Sequence, residues 1–88
     1  MKIKEGFVLR EVMGKKVVIA VGEASLTFRG MVQLNETAAE IWDHISKGCA
    51  KEEIVDAMLE KYDVPRQRLE EDVERSISLF LENGMIEL

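Results

Sequence analysis

The sequence is poor in the side chains on which most enzyme mechanisms depend. It contains one histidine, His44, and one cysteine, Cys49, and it has neither a glycine-rich phosphate loop nor an HExxH motif. A lone histidine and a lone cysteine provide neither a zinc cluster nor a nucleophile with its base. The numerous carboxylates fall on predicted solvated helix faces. We therefore expect no catalytic residues, no metal site and no cofactor, and a single cysteine excludes an internal disulfide.

Long apolar runs are also absent. No stretch approaches the roughly 18 residues of a membrane span, and the first six residues lack the apolar core of a signal peptide. We therefore expect a cytoplasmic protein that does not bind membranes. The 88 residues predict one domain, covering 1–88, in which any binding site is shallow or lies at an edge.

Basic residues are fewer than acidic ones, 12 against 17, and they are unevenly distributed. The net charge is −5, yet residues 1–34 hold six Lys or Arg against three acidic residues, whereas residues 35–88 hold six against fourteen. The first part is therefore basic and the second acidic. A groove between them suits a mixed-charge peptide better than a polyanion.

What the sequence does contain is an abrupt change of apolar period at Asn35. Before it, apolar residues alternate as on strands, and after it they recur every three or four positions as on helices. Asn35 is also a favourable helix N-cap. The fold class is therefore α+β, with a sheet in residues 1–34 and a helical bundle in residues 35–88.

The strand pattern predicts a three-stranded antiparallel sheet. The predicted strands cover residues 7–13, 16–21 and 26–34, with a tight turn at Gly14 and Lys15, a loop at 22–25 and an interruption at Gly30. The β-branched run at 17–19 indicates that the second strand is central. The third strand is then an edge, which another strand can join. An edge blunted by Arg29 and Gly30, or covered by the chain's own helices, is the equal alternative.

The helical half predicts three helices, at residues 36–46, from about 51 to 62 and from about 66 to 83. Leu69, Val73, Ile77 and Phe80 form the core stripe of the last helix. On a wheel of about 100° per residue, Leu79 falls about 80° to one side, with Asp72 and Ser76. Leu79 is either an edge of the core or one wall of a binding groove. Residues 85–88 form a short closing strand or a terminal segment packed on the core.

Five segments taken in order resemble the PqqD family of peptide chaperones, which recognise precursor peptides of ribosomally made, modified products. They cover nearly the whole chain, and the first is the most specific. The segments are residues 34–42, 52–55, 62–64, 72–73 and 81–86. The resemblance implies a winged-helix-like fold in which a three-stranded sheet precedes a three-helix bundle.

The resemblance also implies a function and a site. Family members bind the leader of a precursor peptide as a strand added beside the third strand, and present it to a partner that is often a radical S-adenosylmethionine (SAM) enzyme. Here the corresponding surface lies on the third strand and the last helix, assigned by element. It comprises Phe28, Arg29, Met31, Val32, Gln33, Leu34, Asp72, Arg75, Ser76 and Leu79.

Two other functions remain open at this stage. A winged-helix nucleic-acid binder would use the last helix for recognition, but residues 66–83 carry three arginines against five acidic residues, the wrong sign for phosphates. We therefore expect no nucleic-acid partner. A regulatory adaptor for a folded protein is the other alternative. An exposed strand edge also permits a monomer or an edge-strand dimer.

Overall fold

The computed structural model describes residues 1–28 and 30–88. This part of the chain forms five strands and four helices, and the α+β prediction is confirmed. The elements are β1 (Lys2–Ile3), β2 (Phe7–Val12), β3 (Lys15–Ala20), α1 (Ala24–Thr27), β4 (Met31–Leu34), α2 (Glu36–Ser46), α3 (Lys51–Lys61), α4 (Arg66–Glu82) and β5 (Ile86–Glu87).

The main sheet is antiparallel with the order β2-β3-β4, so the second predicted strand is indeed central. The predicted turn was wrong by one residue. Val12 pairs with Lys15, which makes Met13 and Gly14 the two turn residues. Both have positive φ angles, 52° and 79°, and two-residue hairpin turns require this conformation to match the twist of the strands.

The segment before β4 also differs from the prediction. Residues 24–27 form the short helix α1, rather than the end of a loop and the start of a strand, and the N–H of Phe28 donates to the carbonyl of Ala24 at 2.9 Å. A tertiary contact holds this turn in place. The backbone of Gly6 approaches the Ala24 methyl so closely that a Cβ at position 6 would lie 2.6 Å from it.

Helix α2 contacts β4, and the three longer helices share one continuous apolar core with the sheet. Helix α2 has the predicted bounds, and its predicted stripe of Ala38, Ile41, Trp42 and Ile45 is buried. On α4, Leu69, Val73 and Phe80 are buried as predicted and Ile77 is half-buried. The rings of Trp42 and Phe80 meet edge to face, with centroids 5.1 Å apart. Within residues 1–28 and 30–88, no helix is long and apolar enough to cross a bilayer.

A second, two-stranded sheet joins the two ends of the described chain. β1 pairs antiparallel with β5, and the N–H of Lys4 donates to the carbonyl of Met85 at 2.9 Å. Of the two alternatives left open for residues 85–88, the structure shows the short closing strand, at Ile86–Glu87. The sequence did not predict its partner β1, because two residues are too few to show the alternation of apolar and polar residues that is typical of a strand.

The cap of α2 supplies a test of the joint between sheet and bundle. Asn35 Oδ1 accepts a hydrogen bond from the N–H of Ala38 at 2.8 Å, so Asn35→Ala should lower the free energy of unfolding by about 1 kcal/mol. Urea denaturation followed by Trp42 fluorescence measures the change. Asn35→Asp keeps an acceptor oxygen and should cost much less. Equal losses in the two variants would contradict the capping role.

Candidate functional site

The open edge of β4 is the principal surface feature of the sheet. β4 is bonded to β3 along one side. Along its other side, no residue of the described chain pairs with it. Unpaired edge N–H and C=O groups can bind an extended peptide by strand addition.

The register determines which backbone groups of β4 face outward. In an antiparallel pair, the N–H and C=O of one residue point to the same side, and the side alternates along the strand. The hairpin closes at Val12 and Lys15, so the odd-numbered residues of β3 bond to β2. The even-numbered residues of β3 therefore bond to β4.

On β4 itself, the backbone groups of Val32 and Leu34 are consequently directed to β3, because they pair with Val18 and Lys16. Those of Met31 and Gln33 are directed away from the sheet. Their side chains are also on the outer face, where the Met31 side chain is 60% exposed. Val32 and Leu34 face the core, and Leu34 is only 4% exposed.

The opposite edge of the sheet, β2, is less open. The same alternation directs the carbonyl of Leu9 outward, but the guanidinium of Arg10 donates to it at 3.2 Å. The N–H of Phe7 is also occupied, since it donates to the carbonyl of Lys4. Natural proteins protect edge strands with charged side chains in this way. Of the two edges, β4 is therefore the better acceptor for an added strand.

Two of the predicted strand residues do not lie on β4. Phe28 ends α1, where its ring contacts Phe7 edge to face with centroids 5.2 Å apart. Phe28 is thus part of the packing at the start of β4 and not a strand residue. Arg29 lies outside the described residues.

The four predicted residues of α4 share one flank of the helix. Asp72 and Ser76 are half-buried, whereas Arg75 and Leu79 are exposed, Leu79 to 36%. The Arg75 guanidinium lies 3.4 Å from the Asp72 carboxylate. This flank therefore combines an accessible leucine with a loosely paired arginine and aspartate. Whether these residues bind a ligand stays a prediction.

A small cavity brings this flank close to the end of β4. It has a volume of about 110 Å³ and includes Asp72 of α4 together with Thr37, which lies three residues after Leu34. Its full lining is Thr37, Tyr62, Val64, Arg68, Leu69 and Asp72. Sequence reasoning missed Thr37 and Arg68, because the cavity depends on how α2, α4 and the segment between α3 and α4 meet.

A larger groove of about 500 Å³ lies on the other side of Tyr62. It is lined by Leu9, Lys16, Glu36, Ala39, Glu40, Asp43, Lys61 and Tyr62. One oxygen of Glu40 accepts hydrogen bonds from Lys61 Nζ at 2.7 Å and from the Tyr62 hydroxyl at 3.2 Å.

The Glu40 carboxylate affects both of its partners. Its hydrogen bond and its charge raise the pKa of Lys61. Burial raises the pKa of Tyr62, and the nearby charge of Glu40 raises it further. Among the described residues, no group of three or more His, Cys, Asp and Glu side chains is placed to hold a metal ion.

Comparison with known proteins gives one family match and two similar solved structures. The family model described as coenzyme PQQ synthesis protein D (PqqD) matches residues 8–86. TbiB1, solved in complex with the TbiA(beta) leader peptide, superposes with a TM-score of 0.82 and 25% identity, over 99% of this chain and 95% of that chain.

The second structure is a lasso peptide synthetase B1 complexed with the leader peptide. It superposes with a TM-score of 0.77 and 21% identity, over 96% of this chain and 93% of that chain. None of the curated proteins matches the chain in sequence.

The single tyrosine makes the Glu40 contact directly testable. Glu40→Gln should lower the pKa of Tyr62, because it removes the negative charge that disfavours tyrosinate. The pKa should stay above 10, because burial is its largest cause. Tyrosinate absorbance measured against pH reports the change. Glu36→Gln is the matched control, since Glu36 has the weakest influence, and an equal effect of both variants would contradict the assignment.

Proposed function

The chain belongs to the PqqD family, and we propose that it is a non-catalytic protein that binds the leader of a ribosomal precursor peptide. The leader adds to β4 as a fourth strand and is presented to a modifying enzyme. The family resemblance supports a radical SAM enzyme as that partner. Since the precursor is made by ribosomes, we propose that the two meet in the cytoplasm.

The observation that carries this proposal is the open edge of β4, together with a cavity beyond its end that the flank of α4 helps to line. Met31 and Gln33 direct four backbone groups outward, and Asp72 on α4 shares a cavity with Thr37 just beyond the end of the strand. The two similar solved structures, TbiB1 and the lasso peptide synthetase B1, each hold a leader peptide. A strand-shaped ligand at β4 is consistent with both.

Backbone bonds alone do not supply enough affinity for a useful peptide receptor. Four ladder bonds at about 1 kcal/mol each correspond to a Kd of roughly 1 mM, before the cost of ordering the peptide. Side-chain contacts have to add the rest. The exposed Met31 on β4 and the exposed Leu79 on the flank of α4 are the apolar side chains that we propose for these contacts.

A proline substitution tests the added strand without disturbing the sheet. Gln33→Pro removes an outward N–H and leaves every bond between β3 and β4 intact, which is where edge strands tolerate proline. We expect peptide affinity to fall on the order of fivefold or more, because one ladder bond is lost. Calorimetric titration with the leader of a precursor peptide encoded beside the gene measures the change.

The matched control is Glu11→Pro, which removes an outward N–H from the opposite edge β2. This variant should bind the leader as the parent chain does. In an NMR titration of the parent chain, amides of residues 31–34 and of α4 should shift. Equal loss of affinity in the two variants, or shifts confined to α2, would sink the proposal. A concentration-dependent dimer that the leader does not dissociate would assign the β4 edge to a second copy instead.

A further inference from the structure

Two arginines in the first turn of α4, Arg66 and Arg68, differ in their ion pairs. Arg66 is bound by Asp56 at 2.7 Å and by Glu70 at 3.2 Å, and the Asp56 hydrogen bond raises its pKa. Arg68 has no carboxylate oxygen within 4 Å among residues 1–28 and 30–88. A cation in the first turn also opposes the helix dipole. Arg68 therefore carries an uncompensated charge at a place where helix stability does not favour one.

Arg68 lines the cavity at the end of β4. The cavity's apolar wall comes from Val64, Leu69 and the ring of Tyr62, whose hydroxyl is already directed to Glu40. Its polar wall comes from Thr37, Arg68 and Asp72. The volume of about 110 Å³ is large enough to admit more than one water molecule. One side chain of moderate size fits this space.

The cavity lining contains one cation, Arg68, and one anion, Asp72. Arg75, which lies outside the lining, is 3.4 Å from the Asp72 carboxylate, so the three side chains together carry one net positive charge and Arg68 is the one without an ion-pair partner among the described residues. Thr37 adds a hydroxyl that makes no hydrogen bond to another described side chain. A guanidinium and a hydroxyl across from apolar contacts are donors for a carboxylate at the end of a short aliphatic stem.

We propose that this cavity selects an aspartate or glutamate of the bound peptide, and that Arg68 is the residue that recognises it. The proposal rests on the function proposed above and names one feature of the ligand. The peptide strand follows β4 past Leu34 and places the acidic side chain beside Thr37. Arg68 then determines which leaders bind, while the backbone of β4 holds any extended peptide.

A displayed library of random 12-residue peptides tests this specificity. Peptides enriched on the full chain should share an acidic residue at a fixed spacing from their apolar positions. When the library is selected on the Arg68→Glu variant, the enriched peptides should carry Lys or Arg at that same position. A synthetic peptide from the first selection should lose roughly tenfold or more in affinity for Arg68→Glu, and its acid-to-lysine version should recover it. Lys15→Glu, an exposed charge reversal at the hairpin, is the matched control and should leave the selection unchanged.

The possible results distinguish a failure of the role of Arg68 from a failure of the proposed peptide-binding function. If peptides are enriched without an acidic preference, or with the same preference on Arg68→Glu, the role of Arg68 is overturned. The peptide-binding function still stands in that case, provided that the enriched peptides bind Gln33→Pro on the order of fivefold or more weakly than the parent chain. Unchanged affinity for Gln33→Pro, or no enrichment on the parent chain, overturns the function and the role of Arg68 with it.

Discussion

The edge-to-face contact between Trp42 and Phe80 joins α4 to the helix that follows β4. Only Asn35 separates β4 from α2, so the position of α2 determines the position of the strand. Phe80 of α4 is fully buried against Trp42 of α2, with the ring centroids 5.1 Å apart. Such a ring pair contributes about 0.5–1.5 kcal/mol beyond its burial. This contact in the core thereby connects α4 with α2, the helix that begins directly after β4.

The two edges of the sheet show how the same fold permits strand addition on one side and resists it on the other. On β2, the Arg10 guanidinium occupies the outward carbonyl of Leu9. On β4, Met31 and Gln33 have uncharged side chains, and their backbone groups have no partner in the part of the chain that the structure describes. An open edge also exposes a protein to pairing with its own copies. Keeping β4 short, at four residues, limits that risk while leaving room for a ligand strand.

Local signals predicted the helices, and tertiary contacts decided what the sequence left ambiguous. Asn35 and the apolar stripe after it predict the bounds of α2, because a side-chain cap and a helical period act within a few residues. Residues 26–28 alternate as a strand would, yet residues 24–27 form a helical turn, in which the Ala24 methyl lies against the backbone of Gly6. The position of β4 at the edge of the sheet was predictable, whereas the sequence left open whether that edge is covered. The cavity with Thr37 and Arg68 was not predictable, since its lining comes from α2, α4 and the segment between α3 and α4, whose contacts no local pattern reveals.

The sign of the site cannot be inferred from the net charge of the chain. Helix α4 carries more acidic than basic residues, yet Glu70 is paired with Arg66 and Glu74 with Lys51 of α3. Glu74 thereby offsets the charge of Lys51 on α3, and Glu70 offsets that of Arg66 in the first turn of α4. On the flank proposed to face the ligand, Arg75 lies 3.4 Å from Asp72 and Arg68 has no ion-pair partner among the described residues. The acidic half of the molecule can therefore present a positive side chain to a peptide. A nearby unpaired charge interacts more strongly than distant charges, which salt screens.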